Sequence, residues 1–139
     1  MGSAQVILLD THAAIWFTSA DQALGKRSEA LTRQGLADDG LYVSAISFWE
    51  IALLIAKRRL HALDSAAEQR NRMLSAGIQE LPLTGDIATL AVDLDNLHAD
   101  PADRFIAATA IAHDATLVTA DRRLLNWRNK TLRRQDASR

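Results

Sequence analysis

Apolar residues in this chain follow two spacings, and the alternation between them predicts the architecture. Val6-Ile-Leu-Leu9 is a short unbroken apolar run, as expected of a strand covered on both faces. Leu41-Tyr-Val43, Ile78 to Leu83 and Thr116-Leu-Val-Thr119 read as further strands, with Pro82 interrupting hydrogen bonding near the end of the third. Between them the period becomes helical. Ile87, Leu90, Ala91 and Leu94 fall at i, i+3, i+4 and i+7, and Ile51, Leu54 and Ile55 share one face of a segment that opens at Ser47. Other helices are expected after Thr11 through Ile15 and Trp16, from about Asp21 to Gln34, from Ser65 to Ala76 with Gly77 as its stop, from Asp100-Pro101 to about His113, and just beyond Asp121. The stretch from Trp127 is ambiguous and reads as an edge strand near Leu132 followed by a polar, mobile tail. Short strands alternating with helices imply an α/β fold with a mostly parallel sheet. Ligands of such sheets bind beyond the carboxyl ends of the strands.

The 139 residues suit one domain, with neither an internal repeat nor a boundary. Nearly half are hydrophobic, enough for a core without staples. The chain has no cysteine, which excludes disulfides, a thiolate nucleophile and Cys-based metal sites. No apolar run approaches the roughly 20 residues of a membrane span. The N-terminus lacks the pattern of a signal peptide, and Met1-Gly2-Ser3 reads as a cloning scar. A cytoplasmic protein is expected. Net charge is −1, whereas a non-specific nucleic-acid binder is basic overall. Any polyanion must therefore be met by local patches or a metal. Lys57-Arg58-Arg59, Arg122-Arg123, and Lys130 with Arg133-Arg134 are the candidate patches.

Four acids hold comparable positions. Asp10 directly follows the first strand, Glu50 lies in the first turn of the helix after the second, Asp103 in the first turn of the Ala-rich helix, and Asp121 just after the fourth strand. Helix capping explains each singly. Ser47-Phe-Trp-Glu50 and Ser65-Ala-Ala-Glu68 both have the capping-box pattern, and Asp100 with Pro101 and Asp103 makes a good helix start. Capping does not explain the joint arrangement. In a parallel sheet, Asp10, Glu50 and Asp121 share one edge, and two carboxylates about 4 Å apart repel by roughly 4 kcal/mol at an effective dielectric of about 20. A hard divalent cation with oxygen ligands offsets that repulsion, and such clusters hydrolyse phosphodiesters.

Leu8-Leu-Asp-Thr-His12 with Ile15-Trp16, Val43-Ser-Ala-Ile-Ser-Phe-Trp-Glu-Ile51, Asp100-Pro-Ala-Asp-Arg104 with Ile106-Ala-Ala-Thr-Ala110, and Leu117-Val-Thr-Ala-Asp121 together resemble PIN-domain proteins, most closely VapC-type toxins of bacterial toxin–antitoxin pairs. The resemblance runs in order from Leu8 to about Leu125. It implies a three-layer α/β/α domain and an endoribonuclease using Mg²⁺ or Mn²⁺, neutralised by a cognate antitoxin. Asp10 and Asp103 match the principal metal ligands, Glu50 and Asp121 the supporting acids, and Thr11 and Thr119 hydroxyls that orient acids or substrate. Asp100 remains the helix cap. RNA is the implied substrate, and a homodimer is the expected assembly.

His12, His61, His98 and His113 match no compact metal motif; His98, two residues before Asp100, is the exception to watch. Trp16, Phe17, Phe48 and Trp49 read most simply as core, with a dimer surface or partner groove as the alternative. A receiver-like phospho-acceptor would need an acid pair after the first strand and a lysine after the last. A lone Asp10 and Thr119-Ala-Asp121 stand there instead. An inactive PIN fold serving only as a binding module would be expected to have lost acids, and all four are present.

Overall fold

A computed structural model describes residues 5–60 and 64–139; His61 lies outside them. Five short strands among these residues, β1 (Ile7–Leu9), β2 (Leu41–Ser44), β3 (Gln79–Leu81), β4 (Thr116–Thr119) and β5 (Arg133–Asp136), form one sheet in the order β3-β2-β1-β4-β5. Every pairing is parallel, so the sheet is wholly rather than mostly parallel. Among the described residues, seven helices cover it: α1 (Thr11–Thr18), α2 (Lys26–Ala37), α3 (Ile46–Ala56), α4 (Ala66–Ser75), α5 (Gly85–Val92), α6 (Pro101–Ala112) and α7 (Arg122–Leu125).

The unbroken apolar strands serve two cores, because successive side chains point to opposite faces. Ile7, Leu9, Leu41, Val43 and Val118 join Ala13 and Ala14 of α1, Ile51 of α3 and Met73 of α4. Leu8 and Leu117 face the other way, onto Ile87 and Ala91 of α5, Ile106 to Ala108 of α6, and Leu124 of α7. Leu8 and Leu117 are wholly buried. Leu117→Ala is expected to destabilise by about 2–5 kcal/mol, read from urea melts; a loss under about 1 kcal/mol would contradict the two-sided packing.

Several sequence expectations shift for identifiable reasons. The second helix begins at Lys26 rather than near Asp21, because the Asp21 carboxylate accepts the Ala23 N–H and closes a turn instead. The third strand is trimmed from 78–83 to Gln79–Leu81, ending directly before Pro82. Gly77 does stop α4, with a φ of 101° that disfavours any other residue.

The C-terminus is the largest correction. The edge strand is β5, but residues 137–139 beyond it are not a mobile polar tail. Ala137 is fully buried, its carbonyl accepts the Gly25 N–H at 2.8 Å, and the Arg139 carbonyl accepts the Ser28 N–H at 2.9 Å. These two carbonyls satisfy amides at the start of α2, and a Cβ at Gly25 would lie 2.2 Å from the Arg139 backbone. Hydrogen bonding to a distant helix start leaves no trace in local composition. Deleting residues 137–139 should lower stability by roughly 1–3 kcal/mol, visible as an earlier urea midpoint; an unchanged midpoint would restore the mobile tail.

Candidate active site

The connections run from β1 outward to β2 and β3, then cross to β4 on the opposite side of β1. The C-terminal ends of β1 and β4 therefore flank the point where strand order reverses, where α/β sheets open a crevice. A cleft of about 350 Å³ lies there, and its wall includes Asp10, Glu50, Asp103 and Asp121, together with Thr11, Asp100 and Arg123. The acids are brought there by different means.

Asp10 caps α1, its Oδ1 accepting the Ala13 N–H at 2.9 Å. Burial pushes its carboxyl up to about 6, against the Thr119 hydroxyl, the Ala13 amide and His12, while Glu50 adds to the rise. Capping and cleft-lining coexist here, so the choice posed by the sequence was not exclusive.

Glu50 corrects the capping-box expectation. The helix starts at Ile46, not Ser47, with Ala45 at its N-cap. The Ser44 hydroxyl accepts the Ile46 N–H, while the Ser47 hydroxyl is turned inward to accept from Thr11 Oγ1 at 2.9 Å. Ser47 is thus not a cap for Glu50 to reach back to, and Glu50 lines the cleft. In the second pattern, Ser65 does cap its helix, its Oγ accepting the Glu68 N–H and donating to Glu68 Oε1.

Asp103 sits in the first turn of α6, where Asp100 is the N-cap and accepts its N–H. Its side chain is 14% exposed, and its Oδ2 is 2.6 Å from His98 Nε2. Burial drives its carboxyl up to about 6, opposed by the His98 hydrogen bond and reinforced by Asp100 and Asp121. Asp121 differs. It caps α7 through the Arg123 and Leu124 amides and takes the Arg123 guanidinium at 3.2 Å. Burial alone would raise it, but the Arg123 contacts and the Leu124 amide hold it below the usual carboxylate value. The Arg123 guanidinium also lies 3.6 Å from Asp103 Oδ2.

His98, Asp103 and Asp121 form a candidate metal-binding group, each offering a ligand atom within 4.8 Å of the others. Asp10 and Glu50 complete the cleft wall. Thr119 accepts the Asp121 N–H. The basic patches separate cleanly. Arg123 is in the cleft, and Lys57 and Arg59 line an adjoining groove of about 230 Å³ that shares Glu50 and Asp100. Arg134 is bound to the carbonyls of Leu124, Trp127 and Asn129, and Arg133 pairs with Asp114, so the two arginines of the third patch are held by structural contacts. Among the aromatics, Trp16 lines the cleft, and Trp49, half exposed, is not core.

The fold and cleft define a class, and residues 7–129 match the PIN domain family: the chain belongs to that family. Ribonuclease VapC22 of Mycobacterium tuberculosis is 36% identical over 124 residues, covering 88% of this chain and 92% of that protein. Among solved structures, a FitAB complex bound to a DNA fragment superposes with a TM-score of 0.66 at 25% identity, over 96% of each chain. The VapBC2 complex of Rickettsia felis bound to a promoter DNA fragment gives 0.68 at 15% identity, over 94% of this chain and 98% of that one, a likeness of fold alone.

Proposed function

We propose that this chain is an endoribonuclease that hydrolyses RNA phosphodiester bonds with Mg²⁺ or Mn²⁺, and that it is the toxin of a toxin–antitoxin pair. The observation that carries this reading is the gathering of Asp10, Glu50, Asp103 and Asp121 around one cleft at the strand-order reversal, with two carboxyls raised to about 6 by burial. A protein gains no stability from burying such acids without cations. Their oxygens suit a hard divalent ion. Asp10 and Asp103 are the principal ligands, and Glu50 and Asp121 support them. When bound, the ion supplies Lewis acidity toward the phosphodiester and the attacking water.

The chain's own residues do the rest. Arg123 at the cleft and Lys57 and Arg59 in the adjoining groove give the RNA backbone a local cationic path, which is why an overall charge of −1 is no obstacle. Trp16 offers a face on which an unpaired base can stack. The names of the relative and of the complexes that share the fold support an antitoxin partner. An arginine from that partner pairs bidentately with the carboxylates and blocks the cleft. Half-exposed Trp49 suits a homodimer or partner contact. A cytoplasmic site of action agrees with the finding that no helix among the described residues is long and apolar enough to cross a membrane.

Purified protein should cleave RNA with Mg²⁺ or Mn²⁺ and stop on chelation; metal-independent cleavage would refute the mechanism. Expression alone should arrest growth, and co-expression of the adjacent upstream gene should relieve it. A harmless protein that binds no neighbour product would sink the toxin reading and leave the nuclease reading standing.

A further inference from the structure

We propose that His98 is a positioning residue that aims the Asp103 carboxylate into the cleft, and that Arg104 holds His98 in place to do so. The inference rests on the metal-centre reading of the cleft.

His98 lies in the 93–99 connection between α5 and α6, with its side chain 16% exposed and its Nε2 2.6 Å from Asp103 Oδ2. Its Nδ1 is buried without a hydrogen-bond partner among the described residues. That orphan fixes the tautomer. Were Nδ1 protonated, a buried N–H would go unmet, which folded proteins tolerate less than an idle acceptor, and a lone pair on Nε2 would face the carboxylate. The arrangement fits a ring that donates Nε2–H to Asp103 Oδ2. The separation also argues against His98 as a ligand itself: donors at about 2.1 Å around an octahedral ion stand about 3 Å apart, wider than this contact. A hydrogen bond to one carboxylate oxygen orients the group and leaves the other oxygen for a cation.

Arg104, the next residue on α6, grips the same connection by its backbone. Its Nε donates to the His98 carbonyl at 2.9 Å, Nη1 to those of Ala91 and Leu94 at 2.9 and 3.2 Å, and Nη2 to that of Leu97 at 2.5 Å. One guanidinium thus binds carbonyls at the end of α5, where positive charge is favoured, and all along the loop to His98. Two consecutive residues of α6 clasp one loop: Arg104 takes its backbone, and Asp103 receives its imidazole.

The test is calorimetric titration of RNA-free protein with Mn²⁺, using His98→Ala, His98→Gln, Arg104→Lys and the double variant His98→Ala/Arg104→Lys, with Asp103→Asn as control. His98→Ala should weaken Mn²⁺ binding about 10-fold or more and lower kcat while leaving KM for RNA near the parental value. Glutamine, which keeps an N–H donor, should restore most of both. Arg104→Lys should weaken Mn²⁺ binding in the parental background and add nothing in the His98→Ala background, the mark of action through His98. If Arg104→Lys folds poorly by circular dichroism, the two His98 variants decide the matter. Nitrogen-15 spectra should show an Nε2–H tautomer with and without Mg²⁺, and a shift diagnostic of direct coordination would overturn the positioning role. Parental Mn²⁺ affinity in His98→Ala but not in Asp103→Asn overturns this inference alone; parental affinity in both removes the metal centre as well.

Discussion

Asp103→Asn should reduce RNA cleavage by at least about 100-fold, in line with the loss of a single preorganised electrostatic group, and should yield a folded protein. Asparagine nearly matches aspartate in size, and its amide oxygen still accepts the His98 Nε2–H and fits the first turn of α6. It cannot offer a charged oxygen to a cation. Without metal the variant should be more stable than the parent at neutral pH, since a carboxyl raised to about 6 by burial is ionised there at a cost that the amide does not carry. Asp10→Asn should behave alike, for Asp10 is the more buried of the two. Single-turnover cleavage assays with urea melts measure both effects together. Activity retained in well-folded Asp103→Asn would sink the assignment of the site.

Metal and pH should act on stability in opposite directions. Folding raises Asp10 and Asp103 from 3.8 to about 6, so between pH 4 and 6 the folded chain holds protons that the unfolded chain has lost. Stability must then fall as pH rises through that window, with a full penalty above it of on the order of 2–3 kcal/mol for each group. The groups facing them set how this sums. Glu50, Asp100 and Asp121 add negative potential, while His12 beside Asp10, and His98 and Arg123 beside Asp103, reduce it. Asp121 is held below its usual value by Arg123, as is Asp136 by Ser138 and by Arg122 and Arg139. Their stabilisation is present above the unfolded value and is lost on acidification. The metal-free protein should therefore be most stable near pH 4, at the foot of that window, and weaker at pH 7.5. At pH 7.5, Mn²⁺ about 100-fold above its dissociation constant should restore roughly 2.7 kcal/mol. Urea melts with chelator and with Mn²⁺ at both pH values test this. Asp10→Asn should flatten the pH dependence and shrink the metal response, and an equal response in parent and variant would remove Asp10 from the ligands.

Much of this was legible in the sequence, for local reasons. Unbroken runs such as Val6 to Leu9 mark two-sided burial. The spacing of Ile87, Leu90, Ala91 and Leu94 has only a helical reading, and Gly77, Asp100 and Pro101 act on the backbone within a turn of where they stand. Acids placed just beyond strands must share an edge once the sheet is parallel, so Asp10, Glu50 and Asp121 could be grouped without coordinates. Tertiary structure decided what depends on partners far along the chain. Whether Ser47 caps Glu50's helix was settled by Thr11, 36 residues away. The C-terminal residues are anchored because Gly25 and Ser28 offer unmet amides, a pairing between opposite ends of the chain. His98 carries no signal beyond its closeness to Asp100; its place against Asp103 follows from how Arg104 curls the intervening loop. Periodicity reports the face a residue presents to its own element, whereas hydrogen bonds and buried charges are satisfied by whatever the fold brings near, and this is why the elements and the acidic edge could be read in advance while the anchoring of the tail and the orientation of the site could not.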